Sequence, residues 1–236
     1  MLFLLPEELD TLNKYRLNFH CLTLELDRPK AKQDLIKFLK KVYLGQAKDI
    51  EEFEMNYKTD CSQEERIIQT KEWLVKDNFY WKSTQDLLSV SYFPQELRYL
   101  RLLFKDVEEA IALTYSRSYQ DPLLLKEVFL VIELSNKELE KLKNNEGNYV
   151  GFTSFVRAYS DIDYAKHRIK RETEKQFVLC RVQIDKPQNL EHDFGFWHDS
   201  NKEREGDENV YFNIHNLFKV GKVEDNQIIL KYGAVA

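Results

Sequence analysis

The hydrophobic positions of the first 120 residues follow the spacing of amphipathic helices. Residues 31–44 and 94–115 each carry one apolar stripe that recurs every three to four positions. Pro94 suits the first turn of the second of these helices. Ser62 and Glu65 have the spacing of a capping box, which predicts the start of another helix. Residues 22–26 alternate between apolar and polar and predict an isolated strand instead.

After Asp121 and Pro122 the pattern changes to short runs that are rich in β-branched and aromatic residues. A second capping-box pattern at Ser135 and Glu138 predicts a short helix, and residues 161–170 predict another. Short charged or glycine-containing turns between strands favour a mostly antiparallel sheet. The predicted strands are residues 128–132, 149–156, 177–184, 210–214, 217–220 and 227–231.

The glycines support this division of the chain. Only Gly45 precedes Gly147, and the other five of the seven follow it. Helices avoid glycine, whereas turns between strands use it. We therefore predict an α+β fold with a helical region at residues 1–120 and a β-rich core of two packed sheets at residues 121–236.

Charge and cysteine content argue against several classes of protein. The 35 basic and 40 acidic residues give a net charge of −5, which argues against the broad basic surface of a nucleic-acid-binding protein. The apolar residues 1–5 stop at Pro6 and lack the basic region of a signal peptide, and no run is long enough to cross a bilayer. Three distant cysteines fit a reducing compartment. We expect a cytoplasmic protein without nucleic-acid or membrane partners.

The common catalytic patterns are missing from the sequence. It has no glycine-rich phosphate loop and no His-Glu-x-x-His motif, and its five histidines are scattered. We therefore expect no metal site. Cys180 lies in an apolar strand-like run, which predicts a buried thiol and not a nucleophile.

The order of several segments nevertheless resembles the arginine-type mono-ADP-ribosyltransferases. A predicted strand leads to Leu134 and Ser135 and a short helix; residues 144–155 and then Ala165 follow. The strand at 178–184 comes next, and residues 207–212 lead to the strand at 217–220. Residues 71–115 resemble the helical region that precedes the catalytic core in one lineage of that family. The resemblance covers residues 71–232 and implies the family's fold, NAD as substrate and a protein acceptor or partner.

The first family motif is an arginine on the strand before Leu-Ser, where it grips the NAD phosphates. A diphosphate suits the planar, permanently charged guanidinium because that group binds it in a bidentate way. When Leu134 and Ser135 are matched to the family's Leu-Ser, the arginine position is Leu130.

The second motif is a Ser-Thr-Ser stretch that orients the nicotinamide ribose. With the register set by Phe155 and Ala165, its place is taken by Arg157, Ala158 and Tyr159. A second register makes Ser154 the first serine but loses the spacing to Ala165. The resemblance thus implies a cofactor site at Leu130, Ser154, Arg157 and Tyr159, where Arg157 is a candidate phosphate contact.

The third motif is Glu-x-Glu before a hydrophobic strand. Its second glutamate stabilises the oxocarbenium ion that forms as nicotinamide leaves. Residues 210–212 set the register and place Asp207, Glu208 and Asn209 at the motif, with Asn209 at the catalytic position. A neutral amide supplies no negative charge beside a forming cation. A slip of one residue would bring Glu208 into the site, and such a slip needs a β-bulge.

All three motifs are therefore eroded in a sequence that keeps the family's segment order. This predicts weak or no NAD-dependent transferase activity and a role as a binding or structural module. The alternative is an active mono-ADP-ribosyltransferase that uses Glu208 and takes its phosphate contact from another basic residue. A third possibility is an unrelated α+β protein.

Overall fold

The structure is a computed structural model that describes residues 3–4, 23–76, 78–86, 94–118, 127–169, 177–184, 196–199, 209–214, 216–224 and 227–232. The chain forms two compact units. One comprises residues 10–113, and the other comprises residues 1–9 together with residues 114–236. We call them the helical unit and the β unit.

The helical unit contains the three predicted helices and two that were not predicted individually, Ala47–Asn56 and Phe79–Asp86. Ser62 accepts a hydrogen bond from the Glu65 N–H at 3.2 Å and the Glu65 carboxylate accepts one from the Ser62 N–H at 2.9 Å, so the predicted capping box is confirmed. The helices are α1 Arg28–Val42, α2 Ala47–Asn56, α3 Gln63–Val75, α4 Phe79–Asp86 and α5 Pro94–Ser118, with a 3-10 turn at Leu44–Gln46 between α1 and α2.

The strand predicted at residues 22–26 is wrong over the described residues 23–26. Leu24 and Glu25 form a turn there. Asp27 follows and accepts a hydrogen bond from the Lys30 N–H at 3.1 Å, which starts α1. The local preference for a helix cap therefore outweighs a short apolar alternation.

Aromatic rings fill the interior of the helical unit. Phe53 of α2 lies edge-on to Trp73 of α3 and to Phe79 of α4, with ring centroids 5.2 and 5.6 Å apart. Tyr57 lies 4.5 Å from the Phe53 ring. Such contacts add to the hydrophobic free energy gained by burying large rings.

A polar network runs through this interior. The Asp106 carboxylate of α5 is ion-paired with Arg28 of α1 and accepts a hydrogen bond from the Tyr57 hydroxyl at 2.7 Å. Tyr57 also lies within hydrogen-bonding distance of the Thr70 hydroxyl, at 2.9 Å. Burial raises the pKa of Asp106, and the nearby Arg28 guanidinium opposes that shift.

The β unit contains nine strands and two helices among its described residues. The second predicted capping box is confirmed, because Ser135 accepts from the Glu138 N–H at 3.3 Å and Glu138 accepts from the Ser135 N–H at 2.7 Å. The strands are β1 Phe3–Leu4, β2 Glu127–Glu133, β3 Tyr149–Phe152, β4 Val156–Tyr159, β5 Phe177–Ile184, β6 Phe196–Asp199, β7 Asn209–Phe212, β8 Leu217–Glu224 and β9 Gln227–Tyr232; the helices are α6 Asn136–Lys143 and α7 Ile162–Ile169.

Hydrogen bonds join these strands into one sheet with the order β1-β3-β8-β9-β5-β2-β4-β7-β6. Only β5 and β9 pair in parallel among the described strands, which confirms the mostly antiparallel prediction. Strands β2 and β4 are joined through one residue pair, Phe129 and Tyr159.

The sheet is folded so that strands far apart in its order face each other. Phe212 of β7 has its ring centroid 5.3 Å from Phe218 of β8 and 5.1 Å from Tyr232 of β9. Yet β7 and β8 lie five steps apart in the strand order, which would be about 24 Å in a flat sheet. The predicted pair of sheets is therefore present as two facing layers of one connected sheet, and the α+β class is confirmed.

Candidate active site

Strand β2 alternates between two buried faces. Val128, Leu130 and Ile132 belong to the main apolar core between the layers. Phe129 and Val131 lie on the opposite face, with Leu179 of β5 and with Ala165 of α7. Both faces of the strand are therefore covered by apolar side chains.

Leu130 is buried in this strand, and only 1% of its surface is exposed. Its register partner is Cys180 of β5. The side chain lies in the apolar core with Val178, Ile228 and Leu230. An arginine at this position would place a charge among aliphatic groups.

No position of β2 carries a cation. Its sequence is Glu-Val-Phe-Leu-Val-Ile-Glu, so both charged residues are acids and stand at the ends. Glu127 is ion-paired with Arg181 of β5, whose side chain is 44% exposed. A change of register along β2 therefore brings no basic residue to the position of the family's arginine.

Ser154 lies where the chain passes from one layer to the other. Strand β3 pairs with β8 up to Gly151 and Leu217, and β4 pairs with β7 from Val156 and Phe212 onward. Four residues separate the two ladders on each of the two segments, namely 152–155 and 213–216, of which residue 215 lies outside the described residues. Because these numbers are equal, the register is kept across the gap. We call these two segments the corner.

The corner holds several buried polar groups. The Ser154 hydroxyl oxygen and the side-chain carbonyl oxygens of Asn213 and Asn216 have no hydrogen-bond partner among the described residues. The Asn216 amide nitrogen lies 3.3 Å from the Tyr232 hydroxyl. Burying such oxygens without a partner costs free energy, so the corner can accept hydrogen bonds from an N–H or O–H group.

Arg157 and Tyr159 of β4 are buried on the other side of their strand from the apolar core. Val156 and Ala158, which alternate with them, belong to that core, together with Leu130. The Arg157 guanidinium carbon lies 6.0 Å from the centre of the Tyr159 ring, and that ring lies 5.1 Å from Tyr164 of α7. Arg157 is 8% exposed. The structure thus brings Arg157 and Tyr159 together and puts Leu130 on the opposite face.

The backbone of Asn209 stands beside Tyr159. These two residues are register partners in the β4–β7 ladder, and Arg157 pairs with Tyr211 two positions further along. Asn209 also pairs with Asp199 of β6. Asp207 and Glu208 lie outside the described residues. The possible slip that would bring Glu208 into the site therefore stays a prediction.

The corner asparagines were missed by reasoning from the sequence. The sequence pattern puts Asn213 inside a predicted strand and Asn216 between two predicted strands, and it indicates no role for either residue. The sequence feature that indicates the corner is a pair of asparagines, which interrupts two apolar runs within four residues. Such an interruption marks a break in strand pairing.

The other reactive groups described in the β unit give no second site. Burial raises the pKa of the Cys180 thiol, which disfavours the nucleophilic thiolate. No group of three or more His, Cys, Asp and Glu side chains that could hold a metal ion occurs in the part of the chain that the structure describes.

Comparison with known proteins gives matches in structure alone. No family model matches the chain. No curated protein matches it. The similar solved structures include the Vis toxin, an ADP-ribosyltransferase from Vibrio splendidus, at 14% identity and a TM-score of 0.44, covering 76% of this chain and 89% of the toxin.

Two further solved structures of ADP-ribosyltransferases are similar to this chain. HopU1 of Pseudomonas syringae pv. tomato DC3000 matches at 10% identity and a TM-score of 0.45, covering 66% of each chain. An enzyme from Clostridium botulinum matches at 7% identity and a TM-score of 0.40, covering 71% of this chain and 85% of that one. Both are ADP-ribosyltransferases. At these identities and TM-scores the likeness carries no argument about activity, which has to come from the chain's own residues.

Proposed function

We propose that this chain is an ADP-ribosyltransferase-fold protein whose catalytic motifs are eroded, with weak or no NAD-dependent transferase activity, and that it serves as a binding or structural module for a protein partner. The observation that carries the proposal is the composition of β2. This strand is the place of the phosphate-gripping arginine in the family that the sequence resembles, and it contains no basic residue.

The surroundings of Leu130 also support the proposal that the phosphate-binding motif is lost. A charge at that position would lie among Val178, Ile228 and Leu230, and a charge without a partner is expensive to bury. The present residues therefore favour an apolar core over a phosphate contact.

Asn209 is the second support. It stands at the position of the catalytic glutamate in the register set by residues 210–212, and its amide brings no negative charge to the forming oxocarbenium ion. The missing arginine on β2 affects the binding of the NAD phosphates, whereas the missing carboxylate at position 209 affects cleavage of the bond to nicotinamide.

One observation favours the alternative of an active enzyme. Arg157 is a buried arginine on the strand next to Asn209. A guanidinium there is a candidate for the phosphate contact that β2 does not provide, and Glu208 would then be the catalytic acid.

Calorimetry with NAD and the full chain tests the proposal. We expect a millimolar or weaker dissociation constant, because the loss of a charged hydrogen-bonded contact costs about 1.5–3 kcal/mol. Arg157→Gln is compared with Arg181→Gln, which removes the arginine of another strand, one that is more exposed and is ion-paired with Glu127. Low-micromolar NAD binding that only Arg157→Gln weakens would contradict the proposal and support the active enzyme.

A further inference from the structure

Helix α1 of the helical unit is strongly basic. It carries six basic residues and one acidic residue, Asp34. Asp34 lies on the same helix face as Lys30, Lys37 and Lys41, and its carboxylate is ion-paired with Arg101 at 3.4 Å. Lys30, Lys37 and Lys41 are spaced by seven and four positions, which places them within about 40° of one another around the helix. They span about 16 Å along its axis at about 1.5 Å per residue. We call these three residues the lysine row.

The lysine row differs from the other basic residues of α1 in its contacts. Lys40 is ion-paired with Glu54 at 2.6 Å, and Lys32 donates to the main-chain carbonyls of Glu54 and Tyr57 at 2.7 and 2.6 Å. Lys30, Lys37 and Lys41 are exposed, and no carboxylate of the described residues pairs with them. The charges of the row are therefore directed to solvent.

An exposed apolar segment follows the row directly. Val42 follows Lys41 and is 41% exposed, and Leu44, two residues further on, is 79% exposed. Lys48, also exposed, follows on α2. We call Val42 and Leu44 the apolar tip; it has basic residues on both sides.

We propose that the lysine row and the apolar tip form a contact surface for a membrane that contains anionic lipids. Lipid phosphates and carboxylates attract basic residues near the membrane surface. The interfacial region also accepts an apolar side chain such as Leu44 between the headgroups. A basic helix that is followed directly by an exposed apolar segment suits this interface, where charged headgroups lie next to an apolar layer.

Other anionic partners fit these residues less well. Protein interfaces are enriched in arginine and depleted in lysine, whereas the row consists of lysine alone. Nucleic acid would attract the row through its phosphates but offers the apolar tip no comparable environment. The sequence predicts no membrane partner because no segment is long enough to span a bilayer. A contact with the membrane surface needs no such segment. Within the described part of the chain, no helix is long and apolar enough to cross a membrane.

Co-sedimentation of the full chain with vesicles tests this surface. We expect binding to mixed phosphatidylserine–phosphatidylcholine vesicles and not to pure phosphatidylcholine, with the binding lost at high salt. The triple variant Lys30→Gln, Lys37→Gln, Lys41→Gln should lower the partition coefficient about 100-fold, which corresponds to about 1 kcal/mol for each lysine. Leu44→Ser should lower it roughly tenfold through the lost apolar burial.

The matched control is the triple variant Lys137→Gln, Lys141→Gln, Lys166→Gln. It makes the same charge change at exposed lysines of the β unit, and we expect it to bind the mixed vesicles as the wild type does. Equal losses in the two triple variants would overturn the proposal. So would a wild type that does not distinguish the two kinds of vesicle, or one that binds polyglutamate or duplex DNA and leaves the mixed vesicles unbound.

Discussion

Asp106 shows how much one buried charge depends on its partner. Its side chain is 1% exposed, and that of the paired Arg28 is 16% exposed. Burial raises the pKa of Asp106, so the carboxylate is costly to keep charged inside the helical unit. The guanidinium and the Tyr57 hydroxyl offset that cost.

We predict that Arg28→Met lowers the free energy of unfolding by about 3–5 kcal/mol, because it leaves the Asp106 carboxylate buried without its cation. Chemical denaturation measures this change. The control is Lys40→Met, which breaks an ion pair with Glu54 whose side chains are 50% and 46% exposed; it should cost about 0.2–1 kcal/mol. A loss of similar size in both variants would show that the Arg28 pair is no more important than a surface pair.

Ser154 presents the opposite situation, since its buried hydroxyl has no partner among the described residues. We predict that Ser154→Ala leaves the free energy of unfolding within about 1 kcal/mol of the wild type or raises it, because the hydroxyl no longer has to be desolvated. Ser135→Ala is the matched control and should lose about 1 kcal/mol with its helix cap. If Ser154→Ala were the more destabilising of the two, the hydroxyl would have a partner in solution.

At the scale of helices and strands, local signals predicted most of the boundaries. Ser62 and Ser135 marked two helix starts because a capping box is a short-range hydrogen-bond pattern. The strand predicted at residues 149–156 is divided into β3 and β4. The division arises where the chain changes layers, which depends on pairing with residues about 60 positions away. Composition and periodicity along the chain do not predict that long-range pairing.

The β8–β9 hairpin contains a close approach that glycine permits. A Cβ atom added to Gly221 would lie 3.1 Å from the Ile229 carbonyl oxygen and 3.2 Å from its Cγ2. The ladder also shifts register between Val220 and Val223. Glycine is suited to such an irregular, crowded site in a strand.

We predict that Gly221→Ala lowers the free energy of unfolding by about 1–3 kcal/mol through overpacking against Ile229. Gly45→Ala is the control, because its added Cβ would meet nothing within 4 Å; its effect should stay within about 0.5 kcal/mol. Thermal denaturation of the two variants checks both values. Equal stability of the two variants would show that the hairpin adjusts to the extra methyl group.

At the scale of the whole molecule, the α+β class followed from the sequence but the arrangement of the site did not. The resemblance to the family placed Leu130, Arg157 and Tyr159 in one cofactor site. The structure places Leu130 in the apolar core and the other two on the opposite face. Which face a strand residue occupies depends on the fold of the sheet around the corner, and motif spacing along the chain does not encode it.

The proposed loss of catalysis concerns the molecule as a whole. It predicts that two separate requirements are unmet, since β2 lacks a cation and position 209 lacks a carboxylate. Restoring one of them should therefore gain little. Asn209→Glu alone still lacks the phosphate grip, whereas a variant that also carries Leu130→Arg has to bury a new charge in the core.

Release of nicotinamide from NAD by the full wild-type chain measures the catalytic step itself. We predict that release does not exceed the rate in buffer, because neither the phosphate contact nor the negative charge beside the ribose is in place. Wild-type release well above that rate, abolished by Glu208→Gln in a variant that keeps its free energy of unfolding, would contradict the account and identify Glu208 as the catalytic acid.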